Sequence, residues 1–358
     1  MISRYDIVLY GASGFTGVYV LKLLIEQQNQ ENVTFAIAGR NETRLKDYKN
    51  LQNIPIIIAD SYDESTLAAM AKQAKIIINV VGPYRLYGEV VVKAAVENGA
   101  NYVDISGEPV LNHVETFAQL NSGPAGYSVN VGTYRSLTLH MVNILTDDLN
   151  KIRRSIMPEK LPISSFRAPK RSSFWFNEKI DGWCLPFKGA DKSVITRSQY
   201  FEYKLHNVLP VQVETFIRIK SVIWAFLLSM WLMIFMVVAK ISFMKDFCWN
   251  IQDYAVLACK ASVIYLLVFG TGWTEKHSSF DDYSVKPVKE IVARCVGPDA
   301  GYVTTSACVL ASALSLLKDA DKLPQGGVHT PTSAFKETGI YDRLEKYGVR
   351  FEIVDKFY

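Results

Sequence analysis

Gly11, Gly14 and Gly17 stand three residues apart in "YGASGFTGVYV", between an apolar run and a run of helical periodicity. Each has a mechanical use. Gly11 permits a tight turn out of a strand, Gly14 lets backbone approach a pyrophosphate, and Gly17 allows a helix to pack closely on the strand. The pyrophosphate would meet free N–H groups and the positive end of the dipole at the helix N-terminus. Ala12, Ser13, Phe15 and Thr16 complete the turn, and the hydroxyls of Ser13 and Thr16 add donors. About thirty residues on, "AGRNETRL" sets Gly39 and Arg40 where an NAD site carries an acid for the ribose 2′-hydroxyl. A guanidinium there grips a 2′-phosphate in two-pronged fashion, so the expected cofactor is NADP over NAD. Asp60 is placed to edge an adenine, and Gly82, Pro83, Tyr84 and Asp104 fall along the nicotinamide half. Tyr84 and Asp104 are the catalytic candidates, though loop packing explains Tyr84 and Tyr87 slightly better. A Tyr-x-x-x-Lys pair at Tyr200 and Lys204 lies far from this region and is read as coincidence.

These residues need a parallel, doubly wound α/β sheet to hold them. Strands are expected at residues 5–10, 33–38, 54–59, 75–81 and 101–105, and helices at 18–27, 65–74 and 89–98. Strand–helix alternation with short connections gives that architecture, with ligands at the carboxyl ends of the strands. A sheet of this type has six strands, and only five are found before Ser122.

The 358 residues are 49% hydrophobic and 21% charged, a globular composition. Net charge is −4 over residues 1–150, +8 over 151–220 and zero beyond. A basic block directly before an apolar run suits anionic headgroups better than nucleic acid. Five cysteines without C-x-x-C spacing imply neither a metal site nor a disulfide framework.

The segments "GASGFTG", "AGRNETRLKD", "NVVGPYRLYGEVVVKAAVENGANYVDISGE", "GPDAGYVTTSACVLASALSLL" and "LPQGGVHTPTSAF" resemble the saccharopine dehydrogenase-like oxidoreductases along nearly the whole chain. The resemblance implies an NADP-type Rossmann domain, residues 1–121, and a second α+β domain with a mixed sheet, residues 122–358. The C-terminal part of that second domain would pack back on the first. It also implies kinship with trans-acting enoyl reductases of glycolipid synthesis, and hydride transfer to an activated carbon–carbon or carbon–nitrogen double bond. Animal members are associated with lipid droplets and mitochondria. Saccharopine itself is not established as the substrate. One departure stands out: after "DISGEPVLNHVETFAQL", where the family completes a helix that would carry His113 on its surface, Leu120 passes almost directly to sequence matching well downstream. A contiguous segment, with the sixth strand, is missing. A catalytically inactive lipid-surface protein on a vestigial reductase fold is therefore the alternative reading.

From Val222 to Ala239 the only polar side chain is Ser229. Trp224 and Trp231, with Arg218, Lys220, Lys240 and Lys245 outside, suit an interface-anchored helix. A span, a buried core helix and one-sided insertion are the alternatives. Because globular sequence resumes afterwards, both ends of residues 222–239 should lie on one side of a membrane, which favours one-sided insertion. The run at residues 261–269 is read as a buried strand. Expected partners are a membrane or lipid-droplet monolayer, a small-molecule or lipid-linked substrate and a second copy of the chain in a homodimer. The expected location is the cytosolic face of droplets or membranes, with the mitochondrion as the alternative.

Overall fold

Four of the six residues of β1 (Tyr5–Tyr10) are buried, as a strand covered on both faces must be. The computed structural model describes residues 4–46, 54–81, 84–103, 113–121, 149–187, 191–238, 263–273, 279–280, 283, 285–299 and 302–354. In it β1 is central, paired in parallel with β2 (Phe35–Gly39) and β4 (Ala74–Asn79). With β3 (Ile56–Ile58) and β5 (Asn101–Val103), the order is β3-β2-β1-β4-β5. Five strands are thus found among the described residues, as the sequence indicated.

Alternation along β1 sorts its side chains between two cores. Val8 and Tyr10 face α3 (Glu64–Lys72) and α4 (Tyr84–Glu97), through Leu67, Met70, Val91 and Ala95. Ile7 and Leu9 face α1 (Phe15–Glu31). A short α2 (Glu42–Lys46) follows β2. Helix ends carry local signals: Asp63 accepts from the N–H groups of Ser65 and Thr66 at the start of α3, and Asn32 closes α1 in the left-handed region at φ 48°. Both α1 and α4 start earlier than their periodicity implied.

The second sheet has the order β12-β11-β10-β6-β9-β8-β7. Its strands are β6 (His113–Asn121), β7 (Trp175–Asn177), β8 (Gly182–Pro186), β9 (Gln212–Ile219), β10 (Val263–Gly272), β11 (Lys289–Pro298) and β12 (Arg350–Ile353). The helix that the resemblance implied here, with His113 on its surface, is therefore a strand, and His113 opens it. Val114, Thr116 and Ala118 alternate with Glu115, Phe117 and Gln119, and both edges of the strand are satisfied, antiparallel to β10 and parallel to β9. That alternation, with two waiting partners, outweighs a weak helical pattern. Residues 113–121 thus serve the second sheet, although the sequence reading grouped them with the first. The strand read at 261–269 is β10.

Among the described residues the helices of this half are α5 (Leu149–Ile156), α6 (Asp191–His206), α7 (Val222–Val238), α8 (Val303–Lys318), α9 (Pro331–Phe335) and α10 (Ile340–Lys346). Val309, Leu310, Ala313 and Leu314 of α8 join the core of Ile7, Leu9 and Leu24. Tyr302, just before α8, stacks on Tyr19 of α1 with centroids 5.4 Å apart. Lys318 at its far end pairs with Glu31.

Asp319 ties α8 to α10, accepting from Arg343 Nη1 at 2.5 Å and from the Gly339 N–H at 3.1 Å. The Arg343 hydrogen bond outweighs burial and holds the carboxyl below its ordinary 3.8. A depressed folded value means the contribution is complete above 3.8 and is lost as pH falls through the folded value. Asp319→Asn should cost about 2 kcal/mol at neutral pH and flatten the acid limb of stability below about pH 4. Urea melts of both proteins across pH give this difference directly.

Helix α7 is unlike the others. Ile223, Trp224, Phe226 and Met233 are 61–68% exposed, while Ala225 is fully buried. A helix apolar on every side therefore points most of its surface outward. The reading of it as a buried core helix is overturned. No described helix is long and apolar enough to cross a membrane. Of the two flanking cations described, Arg218 is committed to the fold: it lies over Gly182 and its Nη2 donates to the Asp181 carbonyl at 2.8 Å. Lys220 is exposed.

Candidate dinucleotide site

The turn after β1 is built from backbone hydrogen bonds. Gly11 N–H donates to the Ala38 carbonyl at 2.9 Å, locking the turn to β2, and Gly14 N–H donates to the Gly11 carbonyl at 2.9 Å. Gly11 sits at φ +94°, in the region only glycine enters freely. A Cβ on Gly17 would lie 2.1 Å from the Gly11 carbonyl oxygen and 2.9 Å from Ala12 backbone. The α1 N-terminus consequently rests on the turn itself. Gly14 is its N-cap, with no side chain to cap it, and its first turn holds no acid. The helix presents N–H groups and positive dipole to whatever anion lies there. Ala12 is buried beneath the turn, Ser13 and Thr16 are half-buried, Gly14 is exposed, and Phe15 begins the helix.

Arg40 directly follows β2, exposed, with no ion pair among the described residues. Asp60 follows β3, and its carboxylate is partly committed, since Oδ1 accepts from Tyr62 N–H at 3.1 Å. Two residues the sequence did not single out join these ends. Tyr10 is buried at the end of β1, and its hydroxyl bonds Ser61 Oγ at 2.7 Å. Burial pushes that phenol up, and it lies within electrostatic reach of Asp60 and Arg40. The turn glycines, Arg40 and Asp60 are thus brought to one end of the sheet. Asn79 is the other missed residue. Fully buried at the end of β4, it accepts Val81 N–H at 3.0 Å and donates to the Tyr102 hydroxyl at 3.0 Å, fixing the exit toward Gly82. A lone amide ending the apolar run "KIIIN" was its signal.

Gly82, Pro83 and Asp104 lie outside the described residues. Tyr84 is the first residue of α4, and its side chain lies outside them too. The Tyr87 and Tyr62 hydroxyls meet at 3.0 Å. Lys204 of the Tyr-x-x-x-Lys pair is bound to Glu159 at 2.7 Å on α6, in the other half of the chain. No group of three or more metal-ligating side chains occurs among the described residues. Cys184, buried in the second sheet, has its thiol pushed up to about 12 by burial first, so it is no nucleophile.

The geometry fits a dinucleotide: a turn that admits no Cβ, a helix terminus without a side-chain cap for the pyrophosphate, and an exposed guanidinium at the ribose end of β2. Arg40→Ser should weaken NADPH about tenfold or more and leave NADH nearly unchanged, because only the 2′-phosphate contact is lost. Titrating both cofactors into the same protein by tryptophan quenching measures the ratio.

Residues 7–125 match the family described as Saccharopine dehydrogenase NADP binding domain. The cofactor of this domain is NADP. The chain is 39% identical over 425 residues to the "Lipid droplet localized protein" of Caenorhabditis elegans, covering 99% of this chain and 100% of that protein. It is 29% identical over 422 residues to the "Saccharopine dehydrogenase-like oxidoreductase" of Homo sapiens, covering 98% and 97%. An alignment of 425 positions against a chain of 358 residues leaves at least 67 positions without a counterpart here. The fold is similar to apo saccharopine dehydrogenase from Saccharomyces cerevisiae, with TM-score 0.53, 13% identity, and coverage of 98% of this chain and 100% of that one. With an intact glycine turn, the cation of a 2′-phosphate site and relatives matched end to end, the chain belongs to the saccharopine dehydrogenase-like oxidoreductase family.

Proposed function

We propose that this protein is an NADP-dependent oxidoreductase that works at a lipid surface on a lipid-linked substrate, held there by one-sided insertion of α7. The exposure of α7 carries the reading. At 17 residues it is about 25 Å long, short of the roughly 30 Å of a bilayer core. The chain leaves the second sheet at Ile219, the end of β9, and re-enters it at Val263, the start of β10. Both strands flank β6 in that sheet. The apolar helix is thus an excursion from one body and back, the topology a phospholipid monolayer accepts. The C. elegans relative, by its name a lipid droplet localized protein, supports the same setting. Hydride would pass between the nicotinamide and an activated double bond of a lipid delivered at that surface.

The inactive reading draws on the five-stranded sheet and the 67 or more positions without a counterpart. The two separate in one assay. Protein on phospholipid-coated triolein droplets is given a lipid extract with NADPH, or with NADP, and both cofactor and lipids are followed. Cofactor consumption with a reduced or oxidised lipid in the mass spectrum is expected. Cofactor binding without consumption in any lipid class assigns the scaffold role.

A further inference from the structure

The second sheet ends differently on its two sides. At one end β7 is tucked in, with Asn177 buried. At the other, all four residues of β12 are exposed, and among the described residues no strand pairs with its outer edge. The inner partner fixes which way the backbone groups of β12 turn. Val354 N–H donates to the Val292 carbonyl at 2.8 Å, directly after the pairing of Ala293 with Ile353. Hydrogen-bonded and non-hydrogen-bonded pairs alternate along an antiparallel ladder, so Arg350 and Glu352 also turn their backbone groups inward. Phe351 and Ile353 turn theirs outward, to the open side.

The side chains of this edge sort by face. Phe351 and Ile353 share one face and are 55% and 67% exposed. Phe351 meets Tyr341 of α10, itself half-exposed, edge-on at 5.5 Å. An apolar patch thus lies directly beside open backbone. The other face carries Arg350 and Glu352. Glu352 accepts from Arg294 Nε at 2.8 Å through one oxygen. Arg350 is exposed, within electrostatic reach of Glu352 but with no ion pair among the described residues. Charges on an edge strand ordinarily ward off a second strand, whereas outward apolar side chains invite one. Here the two charges are of opposite sign and two residues apart, which leaves one pairing open.

We propose that β12 is a self-pairing edge: two copies of this chain join β12 to β12, antiparallel across a two-fold axis, and their second sheets become one. Outward backbone must meet outward backbone, and two registers do so while overlapping most of the strand. Centred on Glu352, the axis sets that carboxylate against its own copy, like charge on like. Centred on Phe351, it lets the two Phe351 residues exchange both backbone hydrogen bonds. Each Arg350 then stands opposite the other copy's Glu352, at the close, non-hydrogen-bonded positions. Charge therefore selects the second register. The axis stands perpendicular to the sheet, so both Phe351 rings and both Tyr341 rings gather on one side and exclude water there. So short an interface supports association in the micromolar range rather than an obligate dimer.

Sedimentation equilibrium of the full chain across the micromolar range tests the pairing. Ile223→Gln, Phe226→Gln and Met233→Gln are present throughout, so that α7 holds no copies together. A monomer–dimer equilibrium is expected. Arg350→Glu sets a carboxylate opposite Glu352 at two symmetric places and should weaken the dimer about tenfold or more. Glu352→Lys sets an ammonium opposite Arg350 and should do the same. Mixed in equal amounts, the two folded variants carry complementary edges and should recover a heterodimer of about parental affinity. A parent that is monomeric at every concentration, an Arg350→Glu protein that dimerises undiminished, or two folded variants that do not recover on mixing overturns the proposal. Glu352 is paired with Arg294, so thermal melts accompany each variant; Arg350 is exposed, and its variant decides alone if Glu352→Lys does not fold. None of these outcomes depends on lipid, so the pairing stands or falls apart from the lipid-anchor reading.

Discussion

Gly17→Ala is expected to leave NADPH binding undetectable at millimolar cofactor. The new methyl would sit 2.1 Å from the Gly11 carbonyl oxygen and 2.9 Å from two backbone atoms of Ala12. None of these is the flexible end of a side chain, so relief requires α1 to slide away from β1. That movement separates the helix N-terminus from the turn it rests on, and both are needed to hold a pyrophosphate. It also lifts Val20, Leu21 and Leu24 from the core they share with Ile7 and Leu9. Overpacking of this kind costs about 1–3 kcal/mol, occasionally more. A folded Gly17→Ala protein with wild-type NADPH affinity would show that the cofactor binds elsewhere. Cofactor titration and a urea melt on the same preparation separate loss of the site from loss of the fold.

The triple change Ile223→Gln, Phe226→Gln and Met233→Gln should remove the protein from lipid droplets. These three side chains are 61–67% exposed, so their replacement leaves internal packing almost untouched. Each contributes about 1.5 kcal/mol or more when buried in hydrocarbon, together about 4.5 kcal/mol, a roughly thousandfold drop in partitioning. Flotation on phospholipid-coated triolein should show the wild type in the buoyant layer and the triple variant below it, with NADPH affinity equal in both. Ala225→Gln is the contrasting control. It strikes the fully buried contact of α7 and should lower stability before it alters partitioning. Undiminished flotation of the triple variant would sink the anchor role of α7.

The glycine turn was legible because each of its residues has a local reason to be there, and the strand ends carrying Arg40 and Asp60 follow from short-range alternation. The five-strand sheet was legible for the same cause. What escaped depended on distant partners. Residues 113–121 form a strand only because β10 and β9, some 90 to 150 residues further on, offer edges to both sides. The direction in which α7 faces was equally hidden, since a helix apolar all round reads alike whether buried or exposed. Tyr10 and Asn79 look like ordinary strand residues until Ser61 and Tyr102 arrive beside them.

The joining of α8 to the core of the first sheet bears on how the chain is made. That core lacks Val309, Leu310, Ala313 and Leu314 until the ribosome has passed Lys318. Roughly 215 residues separate this point from the end of β5, the last strand of that sheet, about 10–40 s of synthesis at ordinary rates. Helix α7 lies within that interval. The nascent protein therefore presents its greasiest segment while the nucleotide domain is still open on one face. Early engagement of a lipid surface would shield α7 through that interval, and the cofactor site would close last.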